Sequence, residues 1–129
     1  MGYTLDYTKG GYMEFKGYIG DGRKYDSEVR EWAEDLKDVF GFIPFKGTLN
    51  VSVFPRIENE KEFIAEKNVV KPFKDFSCVE GELNGIKSYF CYSHRREHQT
   101  INTFYVISDV HLRSELGLKN KNWVNITLK

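Results

Sequence analysis

No stretch of this chain approaches the ~20 consecutive apolar residues that a bilayer-spanning helix needs, which excludes a helical membrane protein. The sequence also lacks a surplus of either charge: 19 Lys and Arg balance 19 Asp and Glu over 129 residues. A general nucleic-acid binder carries a basic excess, so no nucleic-acid partner is expected. Neutrality leaves room for a nucleotide, which needs only a local site. Cysteine is scarce. Cys78 and Cys91 flank an expected hairpin, and their spacing alone permits a cross-strand disulfide. Met1-Gly2-Tyr3 opens no secretory signal, so buried reduced thiols and a cytoplasmic setting are the expectation. For the same reason Asn50-Val51-Ser52 and Asn125-Ile126-Thr127, which match the glycosylation triplet, are read as chance.

What the chain does have is aromatic residues. Phe, Tyr and Trp make up 16%, with ten Phe and eight Tyr, a composition that favours a β-rich core. The length fits one domain, residues 1–129, able to bury a core without metal or disulfide staples. Residues 1–11 read as a loose arm or a first edge strand. Residues 12–18 alternate polar and apolar, as a strand does. One long helix is predicted over 27–40, where Val29, Trp32, Ala33, Leu36, Val39 and Phe40 recur on one stripe. Asp26 or Ser27 is its expected N-cap and Gly41 its C-terminal stop. The charged face carries no assigned chemistry, and the helix is expected to lie on the sheet as a lid.

Further strands are predicted at 48–54, 77–83, 86–92, 100–107 and 123–128. Asn84-Gly85 is a strong hairpin turn between the second and third of these. A short strand is expected around 63–65, then a loop through Pro72. The basic stretch His94, Arg95, Arg96, His98 is expected to be a solvated loop. Ser108 or Asp109 should cap a short helix, 110–116, that ends at Gly117. Trp32 belongs to the core by periodicity, and Trp123, opening a strand, is taken as structural. Many short strands with one substantial helix point to a small closed barrel.

Three segments carry chemistry. In Gly41-Phe42-Ile43-Pro44-Phe45-Lys46-Gly47-Thr48-Leu49-Asn50, two Gly and a Pro shape the backbone, and Thr48 and Asn50, two apart, project to one side of an extended chain. Neutral oxygen donors of this kind suit a hard cation such as Mg²⁺ carrying a nucleotide's phosphates. Gly17-Tyr18-Ile19-Gly20-Asp21-Gly22-Arg23 combines a backbone that can approach phosphate closely with a neutralising Arg. The third segment is Val110-His111-Leu112-Arg113-Ser114-Glu115-Leu116-Gly117-Leu118. Each has a plainer explanation on its own: a strand-to-helix turn, ordinary strand hydrogen bonds, and an Arg serving only the end of its own short helix. The Gly-x-x-x-x-Gly-Lys-Ser/Thr loop and the protein-kinase signatures are both missing, so phosphate chemistry here would use a different cradle.

Together and in this order, the segments resemble the archaeal-type, CTP-dependent riboflavin kinases, from about Met13 to Leu128. The resemblance is weakest between Arg56 and Thr100. It implies a six-stranded cradle-loop barrel, with the long helix and a short C-terminal helix, that moves a phosphoryl group from CTP to riboflavin to give FMN and CDP. Carried over by position, Tyr18, Ile19, Gly20, Asp21, Gly22 and Arg23 would bind the nucleotide's phosphates or sugar. Val110, His111, Leu112 and Arg113 would meet the cytosine and ribose end, and Thr48 and Asn50 would hold Mg²⁺. The partners implied are a nucleotide and a small alcohol, on a monomer or homodimer.

The acceptor side departs from that pattern. The family's flavin-contacting Thr and Glu fall by ungapped count on Glu97 and Tyr105, with Thr100 or Thr103 as nearby substitutes. An aromatic residue there can stack on an isoalloxazine ring or close the pocket. His94, His98, His111, Asp21 and Glu97 are candidate bases by type, and Glu97 is preferred because its carried-over place is beside the acceptor. Two alternatives follow: a CTP-dependent kinase of another small alcohol, and a non-catalytic nucleotide- or flavin-sensing module.

Overall fold

The computed structural model describes residues 6–7, 13–20, 31–42, 49–58, 70–73, 76–93, 101–119 and 121–128. Along the chain these form β1 (Asp6–Tyr7), β2 (Met13–Ile19), α1 (Ala33–Phe40), β3 (Leu49–Ile57), β4 (Val70–Phe73) and β5 (Phe76–Leu83). There follow β6 (Ile86–Ser93), β7 (Ile101–Ile107), α2 (Leu112–Leu116) and β8 (Trp123–Leu128). Neighbouring strands are antiparallel. The order β2-β3-β7-β6-β5 is closed by β8, which pairs with both β5 and β2, giving the expected six-stranded barrel. β1 extends the sheet beside β2, and β4 beside β5.

Alternation decides which side chains fill the barrel. Phe15 and Ile19 on β2, Leu49, Val51 and Val53 on β3, and Phe104 and Val106 on β7 join Val124, Ile126 and Leu128 on β8 in one buried cluster. Gly17 sits inside the same row. A Cβ there would overlap Val51 and lie 2.9 Å from both Ile126 and Val124, so glycine is what lets these strands approach.

A second cluster lies on the outside. Leu36 and Phe40 of α1 pack on Cys78, Tyr89, Cys91 and Ile107, with Trp32, Val39, Phe42 and Phe76 around them. The helix is thus the lid its apolar stripe predicts, and Glu34, Asp35, Lys37 and Asp38 are exposed. Gly41 ends it in the left-handed region, φ 83°, its N–H bonded to the Lys37 carbonyl. The expected start at 27–30 and the caps Asp26 and Ser27 lie outside the described residues.

Asn84 and Gly85 both have positive φ, as the hairpin turn requires. Asn84 also ties the turn to β8: its side-chain oxygen accepts the Asn125 N–H at 2.7 Å, and its own N–H reaches the Asn125 carbonyl at 2.9 Å. Two local expectations are corrected. Pro72 lies in strand β4 rather than a loop. Among the described residues β4 pairs only with β5, and an edge position leaves proline's missing N–H without consequence. α2 begins at Leu112 after His111, with no side-chain cap. Ser108 instead makes the corner before it, its hydroxyl donating to the Lys87 carbonyl at 3.3 Å and accepting the Val110 N–H at 3.4 Å. Trp123 is 57% exposed and packs outside the barrel. Among the described residues no helix is long and apolar enough to cross a membrane. The short strand expected around 63–65 and the basic loop 94–98 lie outside the described residues.

Candidate functional site

Gly20, directly after β2, is where the three chemistry-bearing segments meet. Its N–H donates to the Asn50 carbonyl at 2.9 Å. Its own carbonyl accepts the Arg113 guanidinium at 2.7 Å. One residue earlier, Ile19 N–H donates to the Asn122 carbonyl at 2.9 Å and its carbonyl accepts the Lys121 N–H at 2.8 Å. The end of β2 is therefore held from three directions, by β3, by α2 and by the turn before β8.

α2 owes its position to its apolar side. Leu112 is buried in the barrel core, with Val110, Leu116 and Leu118 packed against it. Gly117 stops the helix in the left-handed region, and Leu118 N–H returns to the Arg113 carbonyl at 2.8 Å, an end that needs no charged side chain to cap it. Arg113 is thereby freed from its own helix and spans to Gly20. His111 is exposed, with Nδ1 2.6 Å from Ser114 Oγ.

The register places Asn50 on the outer wall. Leu49 and Val51 point inward, so Asn50 and Ser52 face outward, both half-buried. Asn50 is paired with Tyr105 on β7, Tyr105 with Cys91 on β6, and Cys91 with Cys78 on β5. Directly opposed residues of antiparallel strands share a face, with Cβ atoms about 4.5–5.5 Å apart. Gly20, Asn50, Tyr105, Cys91 and Cys78 thus form one lateral row across the outside of the barrel. The adjacent row is Trp123, Tyr18, Ser52 and Thr103. Tyr18 meets Trp123 edge-on with centroids 5.0 Å apart, and Phe54, 48% exposed, lies 5.3 Å from Trp123.

The two cysteines at the far end of the first row are free and buried under α1. Counting back from the two-residue turn, where Leu83 and Ile86 form a hydrogen-bonded pair, Cys78 and Cys91 fall on a non-hydrogen-bonded pair. Burial pushes the Cys91 thiol up, and its hydrogen bond and proximity to Cys78 push the same way. These are protected thiols.

Of the residues singled out from sequence, Tyr18, Gly20, Asn50, Arg113 and Tyr105 come together on or beside this outer wall. Ile19 and Leu112 send their side chains into the core, so they shape the site from behind. Val110 packs on the core beside α2. Asp21, Gly22, Arg23, Thr48 and Glu97 lie outside the described residues. As a test of cation chemistry, Asn50 presents a neutral hard oxygen donor on the same face as Gly20, which fits Mg²⁺ completed by phosphate oxygens and water. Among the described residues no three His, Cys, Asp or Glu gather as an alternative metal site. Sequence reasoning did not single out Phe76, whose ring meets Tyr105 edge-on at 6.2 Å and 87°. Counting from the turn gives its partner on β6, but the approach of β7 depends on a connection with no sequence signal.

Comparison with known proteins gives the family. Residues 15–128 match the family model of CTP-dependent riboflavin kinases, which is described as a domain of unknown function, DUF120. The chain is similar to a riboflavin kinase of Archaeoglobus fulgidus, 29% identical over 142 residues, covering 98% of this chain and 59% of that protein. It is similar to another from Picrophilus torridus, 28% identical over 111 residues, covering 79% of this chain and 49% of that protein. A third, from Methanococcus aeolicus, is 29% identical over 125 residues, covering 84% of this chain and 90% of that protein. The chain therefore spans about half to three-fifths of the first two relatives' length.

Proposed function

The chain belongs to the CTP-dependent riboflavin kinase family, and on that premise we propose that it transfers the γ-phosphoryl group of CTP to the 5′-hydroxyl of riboflavin, giving FMN and CDP. The observation that carries this reading is the junction at Gly20, where the Gly-rich segment, the Asn50 strand and Arg113 of α2 meet through two hydrogen bonds. Three segments that are distant in sequence converge in the way a nucleotide spanning them requires.

Phosphoryl transfer asks chiefly for positioning and charge neutralisation. In this reading the loop from Gly20 to Arg23 cradles the phosphates, and Arg113 holds the mouth of that loop to α2 while its remaining donors face the ligand. Val110 and His111 meet the base and ribose end. Thr48 and Asn50 hold Mg²⁺, which when bound neutralises phosphate oxygens. Glu97 takes the proton of the attacking hydroxyl. The enzyme works in the cytoplasm on soluble small molecules.

A second reading, transfer to another small alcohol, draws on one observation. Tyr105, not an acidic residue, stands directly across from Asn50.

The test is a Mg²⁺-dependent phosphorylation assay with riboflavin, comparing CTP with ATP and following FMN by chromatography. FMN formed with CTP and not with ATP is the expected result. CTP binding without FMN would discard riboflavin as acceptor; turnover of a different alcohol would then favour the second reading, and binding with no turnover a sensing role.

A further inference from the structure

Cys78 and Cys91 stand directly opposite each other on β5 and β6, at a non-hydrogen-bonded position of the ladder. Such a pair holds its Cα atoms about 4.5 Å apart, at the short end of the roughly 4.4–6.8 Å that a disulfide spans. The two thiols are free, and they are hydrogen-bonded to each other. The turn at Asn84-Gly85 and the unbroken pairing from Phe76–Ser93 to Leu83–Ile86 fix this register. A bond between the two sulfurs therefore needs no slip of either strand.

What covers the pair is α1. Leu36 and Phe40 pack on both cysteines, and Phe40 also meets Tyr89 with ring centroids 4.3 Å apart. The helix takes no part in the pairing of the sheet, so it can lift while the strands beneath stay joined, a local opening cheaper than global unfolding. Seated, it keeps oxidants away, and burial keeps the Cys91 thiol protonated. Lifted, it exposes two thiols together, in register and with ordinary acidity. A disulfide closed across so short a span carries strain, and strained disulfides are the readily reduced kind.

We propose that Cys78 and Cys91 form a reversible oxidative modification site covered by α1, with a low-molecular-weight disulfide as its oxidant. The thiolate of one cysteine attacks the small disulfide, making a mixed disulfide and releasing one small thiol. The thiolate of the other cysteine then attacks the protein sulfur of that mixed disulfide and displaces the second small thiol. The protein loses two electrons and two protons. The small disulfide gains both, and leaves as two thiols.

The test is incubation of the intact protein with glutathione disulfide at neutral pH, alkylation of the remaining thiols, and measurement of the intact mass. Expected is the loss of both alkylatable thiols together, with a mass lower by two hydrogens and no glutathione retained. Excess reduced glutathione should restore both thiols. Cys78→Ser and Cys91→Ser should each retain one glutathione instead. Leu36→Ala, which loosens α1, should oxidise at least about tenfold faster than the wild type. A wild type that keeps both thiols, or that stops at a glutathione adduct, would overturn the inference. An unchanged rate in folded Leu36→Ala would overturn α1 as the cover. Should Leu36→Ala not fold, the wild-type rate is followed in urea below the unfolding midpoint. A urea dependence weaker than that of global unfolding supports local lifting of α1, and an equal one overturns it.

Discussion

Arg113 of α2 donates to the carbonyl of Gly20 at 2.7 Å across 93 residues of sequence. The bond joins the C-terminal helix to the end of β2, where the Gly-rich segment continues in sequence. Replacing Arg113 by Ala should weaken CTP binding by about 10–100-fold, the range for losing one charge-assisted hydrogen bond of about 1.5–3 kcal/mol. Arg113→Lys keeps the charge without the guanidinium fork and should recover only part of the affinity. Calorimetric CTP titrations of both variants check this. Equal affinity in Arg113→Ala would mean the contact is structural only.

Asn50 lies on the outer face with its side chain away from the core, so its replacement should spare the fold. Asn50→Ala is expected to lose at least about a hundredfold in Mg²⁺-dependent kcat, as for other displaced charge-stabilising groups. Its thermal midpoint should match that of the wild type. Full activity at ordinary Mg²⁺ would discard Asn50 as a cation ligand.

Gly17 occupies the barrel interior where a Cβ would overlap Val51 and crowd Ile126 and Val124. Gly17→Ala should therefore destabilise by about 1–3 kcal/mol through overpacking, against the usual gain from removing a strand glycine. Urea unfolding measures it. A more stable variant would show that the three strands have room to move apart.

The Cys91 thiol is pushed up by burial and by its neighbour Cys78. The folded state therefore keeps its proton at pH values where the unfolded thiol, with an ordinary value of 9.0, has released it. Stability from this group is whole below that value and falls as pH rises through and above it, because the unfolded state then binds fewer protons. Thermal melts from pH 7 to 10.5 should show a steeper alkaline decline for the wild type than for Cys91→Ala. Parallel curves would remove Cys91 from the account.

The aromatic excess, the period-two runs and the Asn84-Gly85 turn made the barrel legible, because alternation and turn chemistry are local properties written residue by residue. Local signals failed where pairing overrode them. Pro72 reads as a loop residue until β4 is seen as an edge. The helix entry at His111 was hidden for a related reason: Ser108 spends its hydroxyl on a carbonyl 21 residues away.

The candidate site divides the same way. Gly-rich backbone, paired oxygen donors and the Leu112-Arg113 segment are contiguous patterns, so the sequence could offer them as candidates for a nucleotide site. Only the folded chain decided that Arg113 turns from its own helix to Gly20, that Asn50 faces Tyr105, and that Phe76 comes to stand against that tyrosine. Those contacts depend on how the barrel closes. Closure fixes the lateral register between strands, and lateral register is set by packing across the whole sheet, which no short stretch of sequence contains.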